Sequence, residues 1–318
     1  MSKVEIYHNK PLSLNLIAET FEASFNIKFD KESWEWRFLN NPNSEKTYIS
    51  YIIENGVLAS YYAVSPMKIL INGKEEKIAL SNMTMTHPNY RGKGYFKKLA
   101  QTLFDNLKEN NFIGVFGFAN HNSHYGFRKY LNWNDLSILN IFSIKPNEFR
   151  KIKVQEYNIE FNIELVNNNN TLKNIESLAT SDLNKIKIKR DLNNLEWRLK
   201  NNPSKEYKVQ IGKINNEVVS LLFYKNYNHE IDVMEFFYVD SLNKIDLLNQ
   251  CIYDLIETTN STINLWSNLH SEEHINLEKQ GFQEVGFNTY FGIIPFTENK
   301  DILNIKNWHY RFIDSDIF

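Results

Sequence analysis

The residues best suited to chemistry lie in one stretch, Met83-Thr-Met-Thr-His-Pro-Asn-Tyr-Arg-Gly-Lys-Gly-Tyr-Phe96. Gly92 and Gly94 permit the positive-φ backbone of a sharp turn, and Arg91 and Lys93 set two cations beside it. Phe96, Leu99, Leu103 and Leu107, three and four apart, predict a helix that begins at the turn. Backbone N–H groups at such a helix start, reinforced by the helix dipole, form a nest for an anion, and a diphosphate suits it. A solvated basic turn would carry the same four residues. The stretch matches neither the Walker loop nor the dinucleotide fingerprint, because the required glycine spacings are absent.

Few other side chains compete for a chemical role. The one cysteine, Cys251, falls among Leu247, Leu248, Ile252 and Leu255, on a helix face expected to be buried. A single cysteine excludes an internal disulfide and a cysteine-rich zinc site. His270 and His274 lie four apart but lack the glutamate of a His-Glu-x-x-His site, so no metal is expected. The last residues include Asp314 and Asp316, which could bind an aminated substrate or serve as a base, or lie solvated on a docked tail.

The elements that must position these residues follow from periodicity. With 318 residues, 42% of them hydrophobic, the chain is long enough for two domains with substantial cores. A formal net charge of -2 gives no overall basic field for nucleic acid. No apolar run approaches the ~20 residues of a membrane span, and the first residues lack the apolar core of a signal peptide. A soluble, cytoplasmic protein is expected, a monomer or homodimer with a small-molecule partner and with neither nucleic acid nor membrane.

Helices are predicted over 12–25 and from Lys31 to the Asn40-Asn41-Pro42 stop. Strands are predicted over 48–53 and 57–64 around Asn55-Gly56, over 67–71 and 75–80 around Asn72-Gly73, and over 83–86. The helix over 94–109, the strand over 113–118 and a short helix over 124–130 follow, with one parallel crossover. The second half repeats the first. Glu35-Trp36-Arg37 is echoed by Glu196-Trp197-Arg198 and Asn40-Asn41-Pro42 by Asn201-Asn202-Pro203, both at an offset of 161 (197 − 36). Where the first copy has Arg91-Gly92-Lys93-Gly94, the second has Ser241-Leu242-Asn243-Lys244, with no glycine. The first copy is therefore expected to bind the anion. The fold class predicted is mixed α/β, a mostly antiparallel sheet with one parallel crossover, in tandem duplicated domains. These are expected over 1–150 and 151–296, with a C-terminal tail over 297–318.

The segment 83–96, the stretch from Asn120 to Trp133 and the order of the elements resemble the GNAT superfamily of acyl-CoA-dependent N-acyltransferases. Trp36-Arg37 with Asn40-Asn41-Pro42 resembles tandem members associated with surface-polysaccharide pathways. The resemblance implies GNAT-like domains, the second without a CoA loop and the tail near the active site. It implies acetyl-CoA as donor, with the diphosphate on backbone N–H groups of Arg91, Gly92, Lys93, Gly94, Tyr95 and Phe96. The pantetheine arm would lie along Met85 and Thr86 and touch Asn120. A backbone N–H near Met85 would polarise the acyl carbonyl. Phe127 would line the cofactor site where many members carry the tyrosine that protonates the leaving thiolate, and Tyr125 is the nearby candidate for that acid. His121 is preferred over His87 as base, with Asp316 a further candidate. The acceptor implied is a primary amine on a small polar molecule, an amino sugar or its nucleotide conjugate. An aminoacyl-tRNA-dependent transferase and a non-catalytic CoA-binding scaffold are the alternatives.

Overall fold

A computed structural model describes residues 3–166, 172, 175, 178 and 185–315. In chain order the elements are β1 (Glu5–Ile6), α1 (Leu14–Phe25), α2 (Lys31–Phe38), β2 (Tyr48–Glu54), β3 (Val57–Ile71) and β4 (Lys74–Thr86). Then come α3 (Tyr95–Glu109), β5 (Phe112–Ala119), α4 (His121–Leu131), β6 (Asn134–Ile144), β7 (Glu160–Leu165), β8 (Lys187–Ile188) and α5 (Leu192–Leu195). The remainder is β9 (Lys208–Ile214), β10 (Glu217–Tyr227), β11 (Glu230–Tyr238), α6 (Lys244–Thr259), β12 (Ile263–Leu265), α7 (Glu272–Gln280) and β13 (Gln283–Pro295).

The chain divides into two compact units, and neither is contiguous in sequence. Unit 1 is Met1–Ile69, Lys74–Ile138 and Thr289–Leu303, and unit 2 is Leu70–Gly73, Leu139–Asn288 and Asn304–Phe318. Strands β6 and β13 each change units part-way. Residues 289–295 of β13 lie beside β5 in unit 1, in the register Phe291↔Phe118. Residues 139–144 of β6 lie beside β12 in unit 2, in the register Ile144↔Ile263. A long strand extends past the end of its own unit's sheet at no cost in backbone hydrogen bonds when a second edge accepts it.

Unit 1 has the strand order β1-β2-β3-β4-β5-β13, antiparallel except for β4–β5. The β2–β3 turn has Asn55 at φ 53° and Gly56 at φ 79°, the pair of left-handed conformations a two-residue hairpin requires. Alternation along β3 sends Tyr62 and Val64 into the core beneath α3 and α4, and Tyr61 and Ala63 into the core beneath α1 and α2. Leu99, Leu103 and Leu107 of α3 are fully buried there, each contributing about 1.5–3 kcal/mol. Both β3 and β4 run unbroken where two pieces each were predicted. The break expected at Ser65-Pro66 is bridged by side chains: Asn82 accepts from the Ser65 N–H (2.9 Å), and Asn41 donates to the Pro66 carbonyl (3.1 Å).

Unit 2 repeats the order of elements, β9-β10-β11-α6-β12-α7-β13, with β11–β12 as its parallel pair. Asn215 (φ 51°) and Asn216 (φ 67°) form the hairpin turn that corresponds to Asn55-Gly56. The Asn-Asn-Pro echo has one local cause. Asn41 accepts from the N–H of Asn43 (2.9 Å) and Asn202 from that of Ser204 (3.1 Å), the same Asx turn in each unit. Cys251 is buried in the unit 2 core, as its helix face predicts, and burial pushes its thiol up to about 12.

Candidate active site

In unit 1, β4 ends at Thr86 and the chain reaches α3 through a 3-10 turn at Pro88–Tyr90 and then 91–94. Gly92 and Gly94 have φ of +78° and +74°, and a Cβ on either would meet no atom within 4 Å. The glycines are therefore needed for their conformation, and the space above them is open. Gly94 is the N-cap of α3 and carries no side chain to accept from the first turn. The opening N–H groups of α3 thus face outward at the positive end of the helix dipole, which fits a diphosphate.

The two cations of the loop are turned back onto the protein. Lys93 Nζ pairs with Glu54 Oε1 at 2.8 Å and lies 4.7 Å from the ring centre of Tyr90. The hydrogen bond to Glu54 raises the pKa of this exposed lysine. Tyr95 donates to the same carboxylate, and Tyr90 to the Glu54 carbonyl (3.1 Å). Arg91 reaches the carbonyls of Thr86 (3.4 Å) and Ser24 (3.5 Å). Glu54 therefore ties the loop down, a role that nothing in its sequence context beside a hairpin signalled.

The neighbouring strands part where a thioester arm would enter. The parallel ladder runs Lys77↔Phe112, Ala79↔Val115, Leu80↔Phe116 and, among the described residues, goes no further. β4 continues to Thr86 and β5 to Ala119. On its other edge β4 is held by β3: Ser60 Oγ donates to the Met85 carbonyl (3.1 Å) and lies 2.9 Å from Thr86 Oγ1. The Met85 side chain itself is buried under α1 and α2. At the point of parting, the buried Tyr62 hydroxyl meets Ser81 Oγ at 3.0 Å, and burial raises the tyrosine pKa.

Helix α4 begins three residues earlier than predicted, which reassigns several candidates. Asn120 is its N-cap: the carboxamide oxygen accepts from the N–H of Asn122 (3.0 Å) and Ser123 (3.1 Å), and Ser123 completes a capping box. His121 is exposed on the first turn. Phe127 is buried, with its ring centre 5.6 Å from that of Phe96 and 4.9 Å from that of Trp133. Tyr125 stands two residues, about 200°, around the helix from it. It is 61% exposed and accepts from Lys129 Nζ at 2.6 Å. Helical geometry thus sends Tyr125 away from the face that holds Phe127.

Sequence reasoning missed a second imidazole. His124 Nε2 lies 3.0 Å from Asp135 Oδ1, Arg128 Nε lies 3.2 Å from Asp135 Oδ2, and the His124 ring stacks on Tyr290 at 3.8 Å. Tyr290 pairs with Ala119, so this group sits at the C-terminal end of β5. Tyr290 comes from residue 290, far along the chain, and no local pattern could have placed it there.

In unit 2 the corresponding place is closed. Asn243 caps α6, accepting from the N–H of Ile245 (2.9 Å) and Asp246 (3.1 Å), and Asp246 adds a negative charge to the first turn. Among the described residues the β11–β12 ladder is Ile231↔Ile263 and Asp232↔Asn264. Beyond it, Arg311 of the tail spans the gap. It donates to the Trp266 carbonyl (2.8 Å), pairs with Glu273 (2.6 Å) and lies 3.8 Å from Glu235. Asn268 holds the tail through the carbonyls of Ile305 (2.9 Å) and Trp308 (2.8 Å).

Asp314, a candidate for substrate binding or for base, is instead buried against Arg190 at 2.7 Å and accepts from the Arg311 N–H (2.8 Å). Burial alone would raise the pKa of Glu235 and Glu273. Arg190 beside Glu235, and Arg311 and Lys244 beside Glu273, hold both carboxyls well below the usual range. Asp316 lies outside the described residues.

Residues 10–134 match the model of an acetyltransferase (GNAT) domain. No curated protein matches the chain in sequence. Among solved structures, the chain is similar to a conserved protein of unknown function from Enterococcus faecalis V583, termed a probable N-acyltransferase. The TM-score is 0.68 at 13% identity, over 91% of this chain and 72% of that one. It is also similar to a GCN5-related N-acetyltransferase from Anabaena variabilis ATCC 29413 (TM-score 0.67, 11% identity, 92% and 72% covered). A third, from Kribbella flavida and of the same description, has a TM-score of 0.61 at 10% identity, with 92% and 71% covered. At these identities the likeness is one of fold. Residues 10–134 thus match an acetyltransferase (GNAT) domain, and the chain shares the fold of the N-acetyltransferases it is similar to.

Proposed function

We propose that unit 1 transfers an acyl group, acetyl in the first instance, from coenzyme A to a primary amine on a small polar acceptor, an amino sugar or its nucleotide conjugate. The observation that carries this reading is the uncapped start of α3 behind two positive-φ glycines, beside strands that part at Leu80↔Phe116. The N–H groups of 91–96 would hold the diphosphate, and the free edge of β4 from Met83 to Thr86 would hold the pantetheine as an added strand. A backbone N–H near Met85 would stabilise the oxyanion.

The amine nitrogen attacks the acyl carbon, the C–N bond forms, and the C–S bond breaks with its electrons on sulfur. The amine proton passes to a base. His124, oriented by Asp135, stands beside His121 as a candidate because a carboxylate-held imidazole is fixed in tautomer and direction. A thiolate is a good leaving group, so the phenylalanine at 127 does not prevent turnover. One active site per chain follows, with unit 2 as a GNAT-like copy that has lost its loop.

The test is incubation with acetyl-CoA and a panel of amino sugars, nucleotide-linked amino sugars and simple amines, following free thiol. Saturable release with one acceptor class supports the reading. CoA binding without turnover on any amine favours a scaffold, turnover only with aminoacyl-tRNA favours the tRNA-dependent class, and no CoA binding overturns it.

A further inference from the structure

Unit 2 contains a recess of about 60 Å³, lined by four cations, Lys185, Lys244, Lys306 and Arg311, and by one carboxylate, Glu273. That carboxylate is answered twice. Arg311 grips it with two nitrogens, at 2.6 and 2.7 Å, and Lys244 Nζ approaches at 2.9 Å. Lys185 Nζ donates to the carbonyl of Lys306 at 2.6 Å, which fixes its ammonium at the recess. Four positive charges against one negative leave an excess of three, in a chain whose formal net charge is -2.

Like charges held together at a partly desolvated surface repel, and an anion seated among them relieves that cost. Asn268 donates to two tail carbonyls and Ser271 Oγ to the Asn268 carbonyl (2.7 Å), which leaves the four cations, with the imidazoles of His270 and His309 beside them, to recognise a ligand. The volume is room for about four to six waters, the space of one tetrahedral oxyanion.

We propose that this recess is a second anion site, built to take the phosphate group of a small ligand. It requires neither CoA binding nor acyl transfer in unit 1. Lysine and arginine placed around one group suit the spread charge of phosphate better than the single charge of a carboxylate.

Calorimetric titration of the full chain with inorganic phosphate, chloride balancing the ionic strength, tests the site. One saturable site is expected, weakened about tenfold or more in Lys185→Ala/Lys306→Ala, a loss of about 1.4 kcal/mol. Phosphate binding should persist when Gly92 and Gly94 are both replaced by valine, which separates this site from the α3 nest. Lys306→Glu, a change at an exposed position, is the second variant should the double one fold poorly, and it should abolish binding. Competition by glycerol 3-phosphate assigns the site to monoesters, and its failure to compete assigns it to free phosphate. Absence of saturable binding overturns the proposal. So does binding lost with the glycines and kept without the lysines.

Discussion

The two units set the same three elements, a parallel strand, a helix and a second strand, around different contents. In unit 1 no side chain caps the helix start, the loop glycines are in left-handed conformations, and among the described residues the β4–β5 ladder ends at Leu80↔Phe116. In unit 2 an asparagine satisfies the helix start, an aspartate opposes an incoming anion, and an arginine from the tail fills the space between strands. A binding cleft is thus a place where the backbone's own hydrogen-bonding groups are left for a ligand. When the chain supplies those partners itself, the fold persists and the site closes.

The comparison breaks most visibly at Arg311. Arg311→Met leaves Glu235 and Glu273 with less compensation in a buried setting, and a loss of about 3–5 kcal/mol is expected in urea unfolding. A loss under 1 kcal/mol would show that the tail is not what closes unit 2. The next effect concerns the open unit. Gly92→Val/Gly94→Val forces branched residues into positive φ and should weaken acetyl-CoA binding about 100-fold, about 2.7 kcal/mol by calorimetry, with the unfolding midpoint little changed. Retained affinity would remove the loop from the site.

Acid should find the closed unit first. Glu235 and Glu273 have folded pKa values below their unfolded ones. Their contribution is therefore present above the ordinary carboxylate range and is lost as pH falls through that range toward the lower folded values. Urea midpoints followed from pH 7 to pH 3 should fall steeply, and Arg311→Met should flatten that slope. A parallel fall in both proteins would contradict the assignment.

Asn243→Ala tests the capped helix more gently. It should cost about 1 kcal/mol of stability and leave acetyl-CoA affinity unchanged, since Arg311 of the tail still spans the gap between β11 and β12. Increased affinity would mean that the cap alone closes unit 2. The smallest effect is expected at Tyr125. Because it stands in solvent against Lys129, Tyr125→Phe should change kcat by less than about twofold, whereas loss of a general acid costs about 100-fold.

Much of this contrast was legible before the structure. Gly92 and Gly94 against Leu242 and Lys244, the Asn-Gly hairpins, the buried stripe of α3 and the Asn-Asn-Pro echo are all local signals. They were read correctly because the forces behind them act within a few residues. The extent of α4 was less legible. Asn120, Ser123 and the helix N-terminus form a capping box, but the short apolar pattern predicted a start at His124. Glu54, Tyr62 with Ser81, and His124 with Asp135 and Tyr290 were invisible, because each meeting depends on strands brought side by side.

The sequence by itself determined the mixed α/β class, the recurring element order and which half carries the glycine turn, since glycine conformation and hydrophobic period are properties of short stretches. Only the tertiary structure decided that β6 and β13 each serve two units and that Asp314 is spent on Arg190. It alone decided that the tail closes one cleft. Those outcomes rest on which unsatisfied edges and buried charges find each other across long separations in the chain, and no local pattern encodes that choice.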